Sequence, residues 1–341
     1  MPTSSRRRKL ESLWPDGSIP SRFEYARVER WDDLPVADPR TIDVAVLDMN
    51  HGLPNVGHQA IIALLRDLAV ELEPQLDAAE LRIRAISYAV RHRLMVPHHD
   101  GRHRLYLGTG GPGHLDPRRN TQNRGEAEIL EDPAWEPRLW RLFDDIFADE
   151  RAALYGVCHT FGLLCRWSQV AEPVLRSAEK GGKMSGVGND ALTDDALVHP
   201  WFARLSEDVA SRDRVPVLES RYYDLVPNGN VPSGATVIAH EAHDDACSRV
   251  RALTMMEFAR DGDRPRIFAV NSHPEIGDAD RVAALLGTML AAGAITPEVY
   301  AARCAILPVL RSDRNTERLR VARTVFADLA RLQLERLVTA A

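Results

Sequence analysis

Three short stretches of this chain carry residue types that together could perform acyl transfer on a thiol. In ALYGVCHTFGLLCRW, residues 153–167, an apolar run ends at Gly156 and Val157, Cys158 follows, and an apolar-rich segment continues. A cysteine at the corner between a buried strand and a helix feels the positive end of the helix dipole, which favours thiolate over thiol. A small core-filling residue has the same appearance. In GTGGPG, residues 108–113, glycines let backbone N–H groups turn outward, where a phosphate or a developing oxyanion could sit. No Lys-Ser or Lys-Thr follows, so this is not a nucleotide P-loop. NSHPEI, residues 271–276, closes an apolar run and supplies His273 as a base and Glu275 to orient it. A thiol nucleophile needs a base to take and return protons, and the base needs a third group to hold its tautomer. Taken singly, these are a packing cysteine, a turn and a structural histidine. In this order, each at a strand end, they are far less frequent by chance.

The elements that must position them are legible as periodicities. TIDVAVLD, 41–48, is a continuous apolar run of the parallel-sheet kind, and a helix follows with Ile61, Leu64, Leu65, Leu68 and Leu72 at helical spacing. LRIRAISYAV reads as a second strand, although a helix would also fit. HRLYLG is a strand, AWEPRLWRLFDDIFADE a helix and AALYGV another buried strand. Strand and helix in alternation predict a doubly wound α/β domain with a mostly parallel sheet. In such folds the loops beyond the carboxyl ends of the strands form the site. PVLESRYYDLV, TVIAHEA, VRALTMMEF and RIFAVNSH alternate without helices between them and predict a small antiparallel patch. Residues 1–40, charged and carrying Pro15, Pro20, Pro35 and Pro39, read as an arm laid over the domain rather than part of its sheet. Residues 41–292 make the domain, and 293–341 a helical C-terminal extension. In that extension Leu319, Ala322, Phe326, Leu329, Leu332 and Leu337 form an apolar stripe. The stripe would pack on its own domain or, as the sharper alternative, join a homo-oligomer.

On Gly110-Gly111-Pro112-Gly113, Gly156-Val157-Cys158 and His273-Pro274-Glu275 the chain resembles the class I, triad-type glutamine amidotransferases. LDMNHGLPN and ESRYYDLV look like two further segments of that family, and the resemblance spans roughly residues 41–292. It implies a three-layer, flavodoxin-like fold and, as chemistry, thiolate attack on a side-chain amide of a small molecule, release of ammonia, and hydrolysis of a glutamyl thioester. Cys158 would be the nucleophile, His273 the base and acid, and Glu275 the orienting carboxylate. The backbone N–H groups of Gly111 and His159 would form the oxyanion hole beside Gly110, with Ser220 and Arg221 near the substrate. The family's elbow reads Gly-x-Cys-x-Gly-His-Gln, whereas here Thr160, Phe161 and Gly162 follow His159. The family's later Ser-His is Ser220-Arg221. The resemblance therefore implies an intact triad inside a rewritten recognition shell, with a more apolar pocket at Phe161 and Gly162. Loss of a buried polar contact costs specificity heavily, so glutamine, another γ-glutamyl amide, and a non-catalytic scaffold that keeps the fold all stay open. Arg221 could bind a substrate carboxylate bidentately or be tied to an acidic neighbour. Cys158-His159 is also similar to the Pfp-type intracellular proteases, but those lack the His-Pro-Glu element and expect an acidic residue after the first strand, where only Asp48 stands.

Composition narrows the alternatives. A net charge of -6 over 341 residues argues against a nucleic-acid partner, and SRRRK at 5–9 reads as a solvated arm. No apolar run approaches the roughly 18 residues of a membrane helix, and no secretory core follows the first arginines. Cys158, Cys165, Cys247 and Cys304 form no CxxC pair, which suits a reducing cytoplasm. His98, His99, Asp100 and His103 read better as a solvated hairpin tip than as a zinc site. His240, Glu241, His243, Asp244 and Cys247 lack the HExxH spacing of a helical zinc site. Trp135, Trp140, Trp167 and Cys165 read as packing residues, and a dinucleotide fingerprint is missing. The expected chemistry calls for no metal and no cofactor. With no synthase segment in the chain, a synthase would be a separate partner subunit.

Overall fold

The computed structural model describes residues 20–53, 55–121, 131–176, 182–207, 213–242, 251–277 and 279–340. Among them, ten strands share one sheet in the order β1-β3-β2-β4-β5-β12-β11-β10-β7-β8. The strands are β1 Phe23–Val28, β2 Thr41–Asp48, β3 Arg82–Ala89, β4 His103–Gly108, β5 Ala153–Val157, β7 Met184–Leu192, β8 Arg214–Arg221, β10 Thr236–Glu241, β11 Leu253–Asp261 and β12 Arg264–Val270. From β1 to β12 every pairing is parallel. From β12 outward to β8 every pairing is antiparallel. β6 Ala171–Leu175 and β9 Tyr223–Pro227 form a separate antiparallel pair.

The run of apolar residues in β2 is explained by cover on both faces. Val44 and Val46 enter one core, and Ala45 and Leu47 enter the other, as the two-residue period of a strand requires. Helix α1, Val56–Glu71, covers the first face with Ile61, Leu65 and Leu68. Its N-terminus is capped by Asn55, whose side chain accepts from the His58 N–H. Helices α2, Glu136–Ala148, and α3, His159–Trp167, cover the second face with Leu139, Phe143, Phe161 and Leu164. Helix α4, Ala279–Ala291, packs over Leu218 of β8. The long last helix, α5, Asp313–Ala340, lies beside α1 on the first face. The result is a three-layer α/β fold with the mostly parallel sheet that the alternation of periods predicts.

Three readings need correction or completion. Residues 23–28 are not an arm outside the sheet, because β1 pairs parallel with β3 along its length as the edge strand. Only Phe23 and Val28 of β1 are fully buried, so its pattern lacks the apolar run that marks an interior strand. LRIRAISYAV is strand, its residues 82–89 held between β1 and β2. The C-terminal stripe is covered by its own sheet. Phe326, Leu329 and Leu334 are buried among the residues of β2, β3, β4 and β5. Each such burial contributes about 1.5–3 kcal/mol, while Leu332 and Leu337 of the same stripe pack against that core and stay partly exposed.

Candidate active site

The sheet order places β2, β4, β5 and β12 side by side, so the loops at their carboxyl ends converge. Leu47 pairs with Gly108, Gly108 with Gly156, and Val157 with Val270. Thr109, Cys158 and Asn271 therefore each stand one step beyond the last paired residue of neighbouring strands. Segments about 50 to 160 residues apart in sequence meet there.

Cys158 is the residue between β5 and α3, and its backbone adopts φ 47° and ψ -102°. A non-glycine residue pays for such a conformation sterically, and a sharp strand-to-helix turn of this kind is how hydrolase nucleophiles are thrust out of a sheet. The turn is pegged on both sides: Cys158 N–H donates to the Val270 carbonyl at 2.7 Å, and Gly162 N–H donates to the Cys158 carbonyl at 3.1 Å. The N–H of His159 precedes that first helical bond and has no intrahelical acceptor. Glycine is required at two places below. A Cβ on Gly108 would lie 2.3 Å from Thr160 Cγ2, and one on Gly156 would lie 2.7 Å from the same atom. Thr160, which stands where the family pattern has glycine, is thus accommodated by two glycines, and its hydroxyl donates to the Thr109 carbonyl at 2.8 Å.

His273 Nδ1 lies 2.9 Å from Glu275 Oε1, and the ring stands beside Cys158, both of them next to Gly110. Burial works to lower the imidazole pKa. Glu275 and Cys158 outweigh it and hold the ring well above the ordinary histidine value. Glu275 in turn sits against the N-terminal turn of α1, where a Cβ on Gly57 would be 2.7 Å from its Oε1. The turn carrying His273 is fixed by its N–H donating to the Leu218 carbonyl at 2.8 Å.

Gly110 faces both groups. A Cβ there would stand 3.0 Å from His273 Cε1 and 3.4 Å from Cys158 Cβ. Gly111 lies directly on the Met49 carbonyl, 2.2 Å from where its Cβ would be. The His159 ring is buried close to the Gly111 backbone. Burial, with Arg91 and Arg166 nearby, pushes its pKa far below the ordinary value, so it is neutral. Ser220 approaches the nucleophile through its backbone, its carbonyl oxygen 4.0 Å from Cys158 Sγ.

Other expectations fall elsewhere. Arg221 does not face the sulfur as a free cation. Its side chain is 2% exposed and is ion-paired with Glu219, Asp224 and Glu241, so the acidic-neighbour alternative is the one realised. Phe161 is wholly buried near Phe258. The space over Gly162 is filled by Leu115, whose Cδ1 would be 2.4 Å from a Cβ there. Cys165 is in the core, and burial raises its thiol pKa well above the ordinary value. Trp135 is buried as a packing residue. The 98–103 segment is not a uniformly solvated tip: His98 stacks on Trp31, His99 meets Tyr106 and Asp149, and buried His103 meets Tyr88. His243, Asp244 and Cys247 lie outside the described residues. Among the described residues no helix is long and apolar enough to cross a membrane.

Two residues of consequence escaped the sequence reading. Arg91 and Glu131 form a fully buried ion pair beneath the glycine loop. In sequence they resemble any surface Arg or Glu, and no periodicity marks them.

Among solved structures, the chain is similar to a glutamine amidotransferase from Thermotoga maritima. The identity is 13%, covering 87% of this chain and 98% of that one, with a TM-score of 0.47. It is also similar to a glutamine amidotransferase from Methylobacillus flagellatus, at 16% identity over 88% of this chain and 94% of that one, with a TM-score of 0.44. No protein-family model matches the chain, and no curated protein does.

Proposed function

We propose that this chain is a cysteine-dependent amide hydrolase of the glutamine amidotransferase type. The observation that supports the reading is Cys158 in a strained elbow next to Gly110, with His273 beside the same glycine and 2.9 Å from Glu275. In the proposed reaction the Cys158 thiolate adds to the carbon of a side-chain amide, and the C–O π electrons move onto oxygen. The N–H groups of Gly111 and His159 stabilise that oxyanion. When the tetrahedral adduct collapses, the C–N bond breaks and the nitrogen leaves with the proton held by His273. Ammonia departs and a thioester remains on Cys158. Water then attacks the thioester, His273 takes its proton, the C–S bond breaks, and the acid product leaves. Glu275 holds the imidazole in the tautomer and orientation both halves need. Transfer of the ammonia to a separate synthase subunit belongs to the same proposal.

One observation favours a second reading, in which the amide is not free glutamine but another γ-glutamyl amide. Leu115 fills the place above Gly162 where the family pattern has a glutamine side chain. The test is ammonia or amine release together with intact-mass detection of the thioester, using glutamine and a panel of γ-glutamyl amides. Turnover lost in Cys158→Ala, with the fold intact, is the expected result. Release from glutamine alone supports the first reading, and release from larger amides alone the second. No release and no adduct with any amide would leave a non-catalytic scaffold.

A further inference from the structure

Beneath the glycine loop lies a charged group the proposed reaction does not use. Arg91 follows β3, and its guanidinium is wholly buried. Four of its bonds are defined. Nε donates to Glu131 Oε1 at 2.5 Å and Nη2 to Glu131 Oε2 at 2.8 Å. Nη1 donates to the carbonyls of Met49, at 2.8 Å, and Pro112, at 2.7 Å. Those two carbonyls bracket Gly111, because Pro112 is its chain neighbour and Met49 is the carbonyl on which its Cα rests. Glu131 is itself held. Oε1 accepts from Trp135 Nε1 at 2.9 Å and Oε2 from Asn120 Nδ2 at 2.7 Å. Asn120 in turn ties the far end of the loop, accepting from His114 N–H and donating to the His114 carbonyl.

We infer that Arg91 is a positioning residue whose buried, Glu131-anchored fork fixes the Gly110–Pro112 turn so that the Gly111 N–H faces the oxyanion formed on Cys158. The physical case is one of cost and geometry. A buried guanidinium is expensive to desolvate, and a buried ion pair by itself is weak evidence for stability. The planar fork, however, can hold two carbonyls and one carboxylate at once, which a lysine ammonium cannot do in one plane. An oxyanion donor must stand within tenths of an ångström of its place to act. A glycine turn has no side chains of its own to hold it there. The inference rests on the proposed acyl-transfer chemistry of Cys158.

The experiment compares two reactions of the same sulfur. Acetylation by p-nitrophenyl acetate forms a C–S bond and expels p-nitrophenolate through a tetrahedral oxyanion. Alkylation by iodoacetamide forms a C–S bond by direct displacement of iodide and creates no oxyanion. Both are followed at Cys158 by peptide mass, with Cys158→Ala as the blank. In Arg91→Lys we expect acetylation to fall about 10- to 100-fold, since removal of a whole oxyanion donor costs about 100- to 1,000-fold, while alkylation stays within about two-fold. Arg91→Met with Glu131→Gln is the second variant, neutral as a pair and still offering an acceptor to Trp135 and Asn120. It serves if the lysine variant does not fold by circular dichroism, and the same separation is expected of it. Equal rates in variant and wild type, or a parallel fall of both reactions, would overturn the inference and leave the acyl-transfer reading standing. If wild-type Cys158 is acetylated no faster than a free thiol, the acyl-transfer reading itself fails.

Discussion

The backbone at Cys158 can be tested apart from its sulfur. Cys158→Ala and Cys158→Gly both remove the nucleophile, but only alanine keeps a Cβ at φ 47° and ψ -102°. A non-glycine residue in so sparsely populated a region costs about 1–3 kcal/mol. Glycine loses about 0.5–1 kcal/mol more than alanine through backbone entropy. The difference predicts that the glycine variant is the more stable of the two by about 0.5–2 kcal/mol. The assay is urea unfolding followed by far-UV circular dichroism. A slope of about 1–3 kcal/mol/M puts the glycine midpoint higher by a few tenths of a molar or more. Neither variant should release ammonia from any amide. A glycine variant equal to or less stable than the alanine variant would refute the claim that the elbow stores strain. The turn would then be held for reasons of packing alone, through its bonds to Val270 and Gly162.

Arg221→Ala should act on stability and not on substrate affinity. It strips one guanidinium from Glu219, Asp224 and Glu241, and breaking a buried pair costs about 3–5 kcal/mol; a stable variant with a raised KM would show Arg221 to be a substrate ligand instead. NMR titration should find the His273 imidazole protonated well past the usual histidine range, and Cys158→Ala and Glu275→Gln should each bring it down. Because the folded pKa is raised, the stability this group contributes is full below about pH 6.5 and lost as pH rises through the folded value. A His273 that titrates normally in the wild type would remove the reason to pair it with Cys158. Gly111→Ala should lower stability by about 1–3 kcal/mol and depress turnover, because its Cβ would fall 2.2 Å from the backbone oxygen of Met49; an alanine variant with wild-type turnover and melting would mean the loop does not rest where described. Limiting iodoacetamide should label Cys158 and spare Cys165, which is buried with its thiol pKa raised; preferential labelling of Cys165 on peptide mapping would contradict that burial.

Much of this protein is determined locally. The apolar run in TIDVAVLD and the helical spacing of Ile61, Leu65 and Leu68 specify strand and helix. They do so because each depends only on near neighbours in the chain. The candidate nucleophile, base and orienting carboxylate were legible for the same reason, as Cys158 follows a strand and His273 and Glu275 share one turn. What only the tertiary structure decided is which side chains face one another across strands. β1 pairs as an edge strand needing little apolar surface, so its sequence resembled an arm. Phe161 and Gly162 sit on a helix whose direction turns one into the core and the other under Leu115. Arg221 and Arg91 are alike in sequence, each a charge beside a strand. One is locked among Glu219, Asp224 and Glu241, and the other bridges Glu131 to Met49 and Pro112. A charge takes its role from the partner that desolvation forces upon it, and that partner is chosen by the order of strands in the sheet.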